Sequence, residues 1–328
     1  MGRQISMVMD LNKCIGCQSC TVACKTLWTS GEGMENILFN NVETKPGPGY
    51  PKNWEQVNGG FRNGQLQMPA FIDSKDYGGE KPLNFDEVYF EGKSDRLQQK
   101  GDMGYGANWD EDTSSGTYPN NYHFYLPRLC NHCTNPACLK ACPTQAIYKR
   151  EEDGIVVLDE DKCQGFRKCN QACPYKKVYF NFVTKKSTKC IFCFPRIEQG
   201  VAPACARQCP GRLRFVGFLD DENGPIHKLV YQWKVALPLH PEYGTEPNVF
   251  YVPPILAASF DENGDFTENP RIPMSYLRYL FGDKVDDALI TLLNEMERRK
   301  EGKKSELMDL LIAADWKQLF GIPVVKYA

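Results

Sequence analysis

The sequence predicts an α+β protein built around cysteine loops, and three observations carry that expectation. Its 15 cysteines fall into four tight groups, a unit of cysteine loop, Cys-Pro and β-strand recurs, and the cysteine-free tail ends in helical periodicity. At 328 residues and 37.3 kDa, with 42% hydrophobic and 24% charged residues, the composition is that of a globular chain with one large domain or two modest ones. No stretch approaches the roughly 18 apolar residues that a membrane helix needs, and the mean hydropathy is −0.48. Direct membrane insertion is therefore not expected, and any membrane contact would go through a partner.

Taken in order, the N-terminus MGRQISMVMD has neither an apolar signal core nor twin arginines. Ile5, Met7 and Met9 alternate as a first strand running into the cysteines, which argues against use of the formal Gly2/Ser6 myristoylation match. The first group follows: Cys14, Cys17, Cys20 and Cys24, spaced CxxCxxCxxxC. Residues 25–125 contain no cysteine and are rich in Gly, Pro, Asn, Asp and aromatics, as in PGPGYPKNW and GYGANWDED. They read as a long irregular insertion, packed either on itself or on a partner.

Between 126 and 215 come Cys130, Cys133, Cys138 and Cys142, then Cys163, Cys169 and Cys173, then Cys190, Cys193, Cys205 and Cys209. AIYKR and IVVLDE, joined by EEDG, predict a hairpin after Cys142; VYFNFV and LRFVGFL predict strands after Cys173-Pro174 and Cys209-Pro210. From 219 the tail opens with turns and a Pro-rich irregular stretch, ALPLHPEYGTEPNVFYVPP. It ends in helical pattern over Lys284–Arg299 and Ser305–Leu311, with Leu289, Leu292, Leu293 and Met296 as an apolar packing face.

An odd number of cysteines cannot all pair as disulfides, and tight grouping suits metal ligation better than a disulfide framework. CxxCxxC places three thiolates on one short loop that can wrap an iron–sulfur cubane, while the fourth, three residues on, faces a second cluster. Tetrahedral zinc sites instead join two CxxC knuckles. The block 126–215 holds 16 Lys and Arg against 7 Asp and Glu in a chain of net charge −2. Thiolate-ligated clusters, carrying on the order of −8 for four, would be neutralised by cations such as Arg128, Lys140, Lys168, Lys176 and Arg207. A nucleic-acid patch also fits a basic block, but the acidic remainder opposes phosphate binding, so no nucleic acid is expected. His123, His132, His227 and His240 lack haem or zinc spacing; His132, between Cys130 and Cys133, suits hydrogen bonding near sulfur. Trp28 fits either cover for a cluster or plain packing, and GYG at 104–106 is too short to signal a nucleotide site.

DLNKCIGCQSCTVACK, NHCTNPACLKACP and KCIFCFPRIEQGVAPACARQCPGR together make the whole chain resemble the four-cluster iron–sulfur β-subunits of dimethyl sulfoxide reductase-family molybdenum oxidoreductases. The likeness is greatest to those of perchlorate, chlorate and selenate reductases, ethylbenzene dehydrogenase and dimethylsulfide dehydrogenase, with respiratory nitrate reductase β a longer cousin. It implies two interleaved ferredoxin-like units from 1–24 and 126–218, an insertion over 25–125 and a C-terminal extension over 219–328 that contacts partner subunits. Carried onto matching positions, it implies a first cluster on Cys14, Cys17, Cys20 and Cys209 and a second on Cys24, Cys190, Cys193 and Cys205. The third would take Cys130, Cys133, Cys138 and Cys173. The fourth is left with Cys142, Cys163 and Cys169, because Phe166 stands where a cysteine is expected. A phenyl ring cannot ligate iron, so three [4Fe-4S] clusters and one [3Fe-4S] cluster are expected unless an outside ligand completes the last cubane.

The implied function is relay of single electrons between a molybdenum-containing catalytic α-subunit, of perchlorate or chlorate reductase type, and a haem b γ-subunit or cytochrome c carrier. Neither molybdenum nor haem is expected in this chain, and no catalytic nucleophile, base and orienter stand out. The same relay in a selenate reductase, ethylbenzene dehydrogenase or dimethylsulfide dehydrogenase, or a free-standing polyferredoxin, is the alternative. Two other classes are a stand-alone enzyme, which would need an open iron site where Phe166 stands, and an assembly protein with zinc-filled sites. The resemblance implies a periplasmic protein exported folded with its α-subunit; the lack of a signal fits a cytoplasmic enzyme as well.

Overall fold

The computed structural model describes residues 3–71, 114–314 and 319–321. Its organising element is a five-stranded sheet in the order Leu237–Pro238, Val249–Val252, Ile5–Asp10, Arg214–Phe218, Phe320–Gly321. Ile5–Asp10 runs antiparallel to Arg214–Phe218, with Met9 opposite Arg214, and parallel to Val249–Val252, with Met7 opposite Val249. Side chains alternate across a strand, so each central strand feeds two cores. Ile5, Met7, Met9, Val216 and Tyr251 pack on the cysteine side. Val8, Phe215, Phe250 and Val252 pack on the other side with Leu229, Leu292 and Leu307.

The cysteine loops are joined by short hairpins, the first of them predicted by its turn, the second only by its first strand. Ile147–Lys149 pairs with Val156–Leu158, and Val178–Asn181 with Lys186–Lys189, both antiparallel. Short helices carry Cys20, Cys24, Cys138, Cys169 and Cys205: Ser19–Trp28 packs on Ala204–Arg207, and Ala137–Lys140 on Lys168–Ala172. In the tail, Val285–Lys300 and Glu306–Ile312 are helical, and the Ser305 side chain accepts a hydrogen bond from Met308 N at 3.1 Å to cap the second.

Three features depart from the sequence expectation. Within the supposedly irregular insertion, Asn40–Lys45 forms a fully buried six-residue strand antiparallel to Phe124–Leu129. Its sequence NNVETK lacks apolar alternation because its polar side chains are paired: Asn40 with Arg214, Asn41 with Lys177, Glu43 with Arg128, Lys45 with Glu55. The Pro-rich stretch after 219 supplies Leu237–Pro238 and Val249–Val252 to the central sheet, short strands whose pairing is non-local. Finally, the helix Val285–Lys300 buries Val285, Ala288 and Leu292, whereas Leu293 and Met296 point outward because the buried stripe is set from Val285 onward. Residues 72–113 of the insertion, including GYG at 104–106, lie outside the described residues. Among the described residues no helix is long and apolar enough to cross a membrane.

Candidate metal centres

All fifteen cysteines are free thiols. The pairing of Ile5–Asp10 with Arg214–Phe218 sets the loop after the first strand beside the loop before the other. Cys14, Cys17, Cys20 and Cys209 consequently line one cavity, together with Pro127, Gly211 and Arg214. The turn at Gly16 has φ of +68°, and a Cβ there would come within 2.7 Å of the Tyr125 ring, so glycine is required to close this loop.

A second cavity is lined by Cys24, Cys190, Cys193 and Cys205, with Trp28, Phe39 and Phe192. Here the packing of Ser19–Trp28 against Ala204–Arg207 draws Cys24 to Cys205. Trp28 Nε1 donates to Cys193 Sγ at 3.0 Å, and the Phe192 backbone N–H to Cys190 Sγ at 3.3 Å. Trp28 thus both packs on this cavity and hydrogen-bonds its sulfur. A third cavity is lined by Cys130, Cys133, Cys138 and Cys173, with His132, Tyr175 and Lys177.

The remaining three are Cys142, Cys163 and Cys169, and the charges of the first two act on the third. The Ser187 backbone N–H points at Cys163 Sγ, 3.5 Å away. Phe166, in the same loop, is 57% exposed.

Burial disfavours the charged thiolate and pushes Cys14 and Cys169 up to about 11 and Cys205 up to about 12. Thiols gathered round a cavity and short of neutralising charge suit a cationic group that they bind as thiolates. Among the described residues no three His, Cys, Asp or Glu side chains converge on a point as the ligands of a single ion do. Twelve of the cysteines instead stand around cavities, the arrangement a many-atom group needs. The donor sets fit iron–sulfur clusters, whose thiolate ligands are held by N–H···S bonds of the kind seen here.

The cations expected to neutralise the sulfurs are distributed differently. Lys140, Lys168 and Arg207 are exposed, and Arg128 is buried but spent on Glu43 at 2.6 Å, stacked 3.5 Å over Trp54. Lys176 is buried and donates to the Gln171 carbonyl at 2.8 Å. Among the described residues the cation that touches a cysteine sulfur is Arg214, whose Nη2 lies 3.3 Å from Cys20 Sγ. Only its place in LRFVGFL, a charge among apolar strand residues, signals it in the sequence. His132 is fully buried, its Nδ1 accepting from Val156 N at 3.2 Å, and burial holds it well below the ordinary imidazole range. His240 is buried between Glu242 and Glu55, at 2.8 and 3.1 Å, away from the cysteines.

Residues 121–219 match the 4Fe-4S dicluster domain family. The chain is 56% identical over 325 residues to the chlorate reductase subunit beta of Ideonella dechloratans, covering 98% of this chain and 99% of the relative. It is 56% identical over 324 residues to the selenate reductase subunit beta of Thauera selenatis, covering 98% and 99%. With the perchlorate reductase subunit beta of Dechloromonas aromatica (strain RCB) it shares 56% over 313 residues, covering 94% and 93%. Mixed α/β structure, a matched 4Fe-4S domain and full-length likeness at this identity lead to one conclusion: the chain belongs to the family of iron–sulfur beta subunits of oxidoreductase complexes that its cysteine loops resemble.

Proposed function

We propose that this chain is an electron-transfer subunit holding three [4Fe-4S] clusters and one [3Fe-4S] cluster in two interleaved ferredoxin-like units. The observation that carries the reading is that three cavities are each lined by four cysteines drawn from separate stretches of chain. Cys14, Cys17, Cys20 and Cys209 would hold the first cluster; Cys24, Cys190, Cys193 and Cys205 the second; Cys130, Cys133, Cys138 and Cys173 the third. Cys142, Cys163 and Cys169 would hold the fourth, which lacks a corner iron because Phe166 offers no ligand. Bound clusters of these types take up and release single electrons. The protein's share is to fix their order, exclude water through the buried Phe192 and Tyr175 and the half-buried Trp28, and supply N–H donors and cations to the sulfurs.

The electrons would pass between a molybdenum-containing catalytic subunit and a haem b subunit or cytochrome c carrier. For the catalytic partner we favour a chlorate or perchlorate reductase type, in line with 56% identity to beta subunits of both names. A selenate reductase is the second reading, since identity to that beta subunit is also 56%. We further propose export to the periplasm in the folded state together with the catalytic subunit, which fractionation of cells producing the complex would check.

Purification of the native complex through this chain tests the relay. One molybdenum per complex, iron for several clusters and a copurifying large subunit are the expected result. Iron without molybdenum or a large partner would replace the relay with a free-standing carrier.

A further inference from the structure

Arg214 is 1% exposed, yet among the described residues no carboxylate pairs with it. Its Nη2 donates to Cys20 Sγ at 3.3 Å and to Asn40 Oδ1 at 2.8 Å, its Nη1 approaches Met7 Sδ at 3.6 Å, and its Nε has no partner. A buried, unpaired guanidinium is costly unless nearby anions compensate it. The anions available are thiolates of two different sets: Cys14, Cys17, Cys20 and Cys209 line the first cavity with Arg214 itself, and Cys24, Cys190, Cys193 and Cys205 line the second with its partners Met7 and Asn40. Register explains the position. Opposite Met9, at the start of its strand, Arg214 lines the first cavity and reaches Met7 and Asn40 in the wall of the second.

We propose that Arg214 is a positioning residue shared by the first and second cluster sites, its one buried charge raising the reduction potentials at both. The inference rests on the relay reading above. Reduction adds one electron to a cluster without making or breaking a bond at Arg214, so a fixed cation stabilises the reduced form of each neighbour by electrostatics alone. Burial keeps that effect from being screened by salt. A common cation shifts both neighbours in the same direction.

The test is a redox titration, followed by electron paramagnetic resonance, of the full-length chain in its native complex, with iron and sulfide content measured alongside. In Arg214→Gln two of the four cluster potentials fall and the other two stay at parent values; in Arg214→Lys, which keeps the charge, the fall is much smaller. Unmoved potentials in Arg214→Gln, equal shifts at all four sites, or a fall in Arg214→Lys as large as in Arg214→Gln would overturn the proposal. Asn40→Asp covers the case in which Arg214→Gln assembles too few clusters. It sets a carboxylate against the guanidinium without losing a donor bond, since Asn40 Nδ2 has no partner among the described residues, and the same two potentials should fall. Unchanged potentials there would also overturn it. A parent complex without iron and labile sulfide would instead sink the relay reading on which the inference stands.

Discussion

Replacing Phe166 by cysteine isolates the chemistry of the fourth site from the fold. A thiol at position 166 would give the run from Cys163 through Cys169 to Cys173 the spacing of Cys14, Cys17, Cys20 and Cys24, and so restore the missing thiolate. Because Phe166 is 57% exposed, losing its ring forfeits under half of the roughly 3–5 kcal/mol that a fully buried phenylalanine is worth. The chain should therefore still fold. The iron content then rises from about 15 to about 16 atoms per chain, and the [3Fe-4S] resonance of the oxidised protein falls from about one spin per chain to near zero. The assay is quantitative electron paramagnetic resonance on oxidised parent and variant complexes, with iron analysis on the same samples. A parent without that resonance, or a Phe166→Cys variant that keeps it in full, would refute the reasoning.

Three further outcomes are expected. Trp28→Phe removes the indole N–H 3.0 Å from Cys193 Sγ; a net hydrogen bond of roughly 0.5–1.5 kcal/mol corresponds to a fall of about 20–65 mV at the second cluster, read by redox titration, and no fall would mean the contact is packing only. Glu43 is a buried carboxylate that receives Arg128 at 2.6 Å and Trp54 Nε1 at 3.1 Å, so Glu43→Gln leaves a buried guanidinium uncompensated. A loss of about 3 kcal/mol and a melting temperature lower by at least about 5 °C should follow, and an unchanged melting temperature would contradict it. The pair of His240 and Glu55 sets a pH window. Burial pulls the imidazole down, but its hydrogen bonds to Glu242 and Glu55 outweigh this and raise it above 6.5, so its contribution is full below that pH and is lost as pH rises through the elevated value. Burial would raise the Glu55 carboxyl, but His240 and Lys45 hold it down to about 2, so its contribution is full above pH 4.5 and is lost as pH falls. Thermal melts should show stability declining above pH 6.5 in the parent and a flatter profile in His240→Gln; identical slopes would remove His240 from the account.

Much of the scaffold is legible in the sequence because its signals are local. Cysteine spacing, Cys-Pro steps, the alternation of Ile5, Met7 and Met9, and the helical pattern of Lys284–Arg299 each need only a few neighbouring residues to be read. What escapes is non-local. Val249–Val252 is four residues long beside prolines and becomes a strand because Ile5–Asp10 offers it an edge. Asn40–Lys45 looks like a loop because its buried face is polar, and its partners Arg128, Glu55, Lys177 and Arg214 lie from ten to more than a hundred residues away. The same holds for electrostatics. Arg128 is a reasonable neutraliser of sulfur by position, yet Glu43 claims it, and the role passes to Arg214, which the sequence presents as one charge in an apolar strand.

Iron and acid-labile sulfide per chain, measured on anaerobically purified full-length protein, test the central claim most directly. Four clusters of the proposed types require about 15 iron atoms and about 16 sulfides per chain. Zinc in place of iron with little labile sulfide, or iron enough for only one or two clusters in fully loaded protein, would contradict the four-site relay.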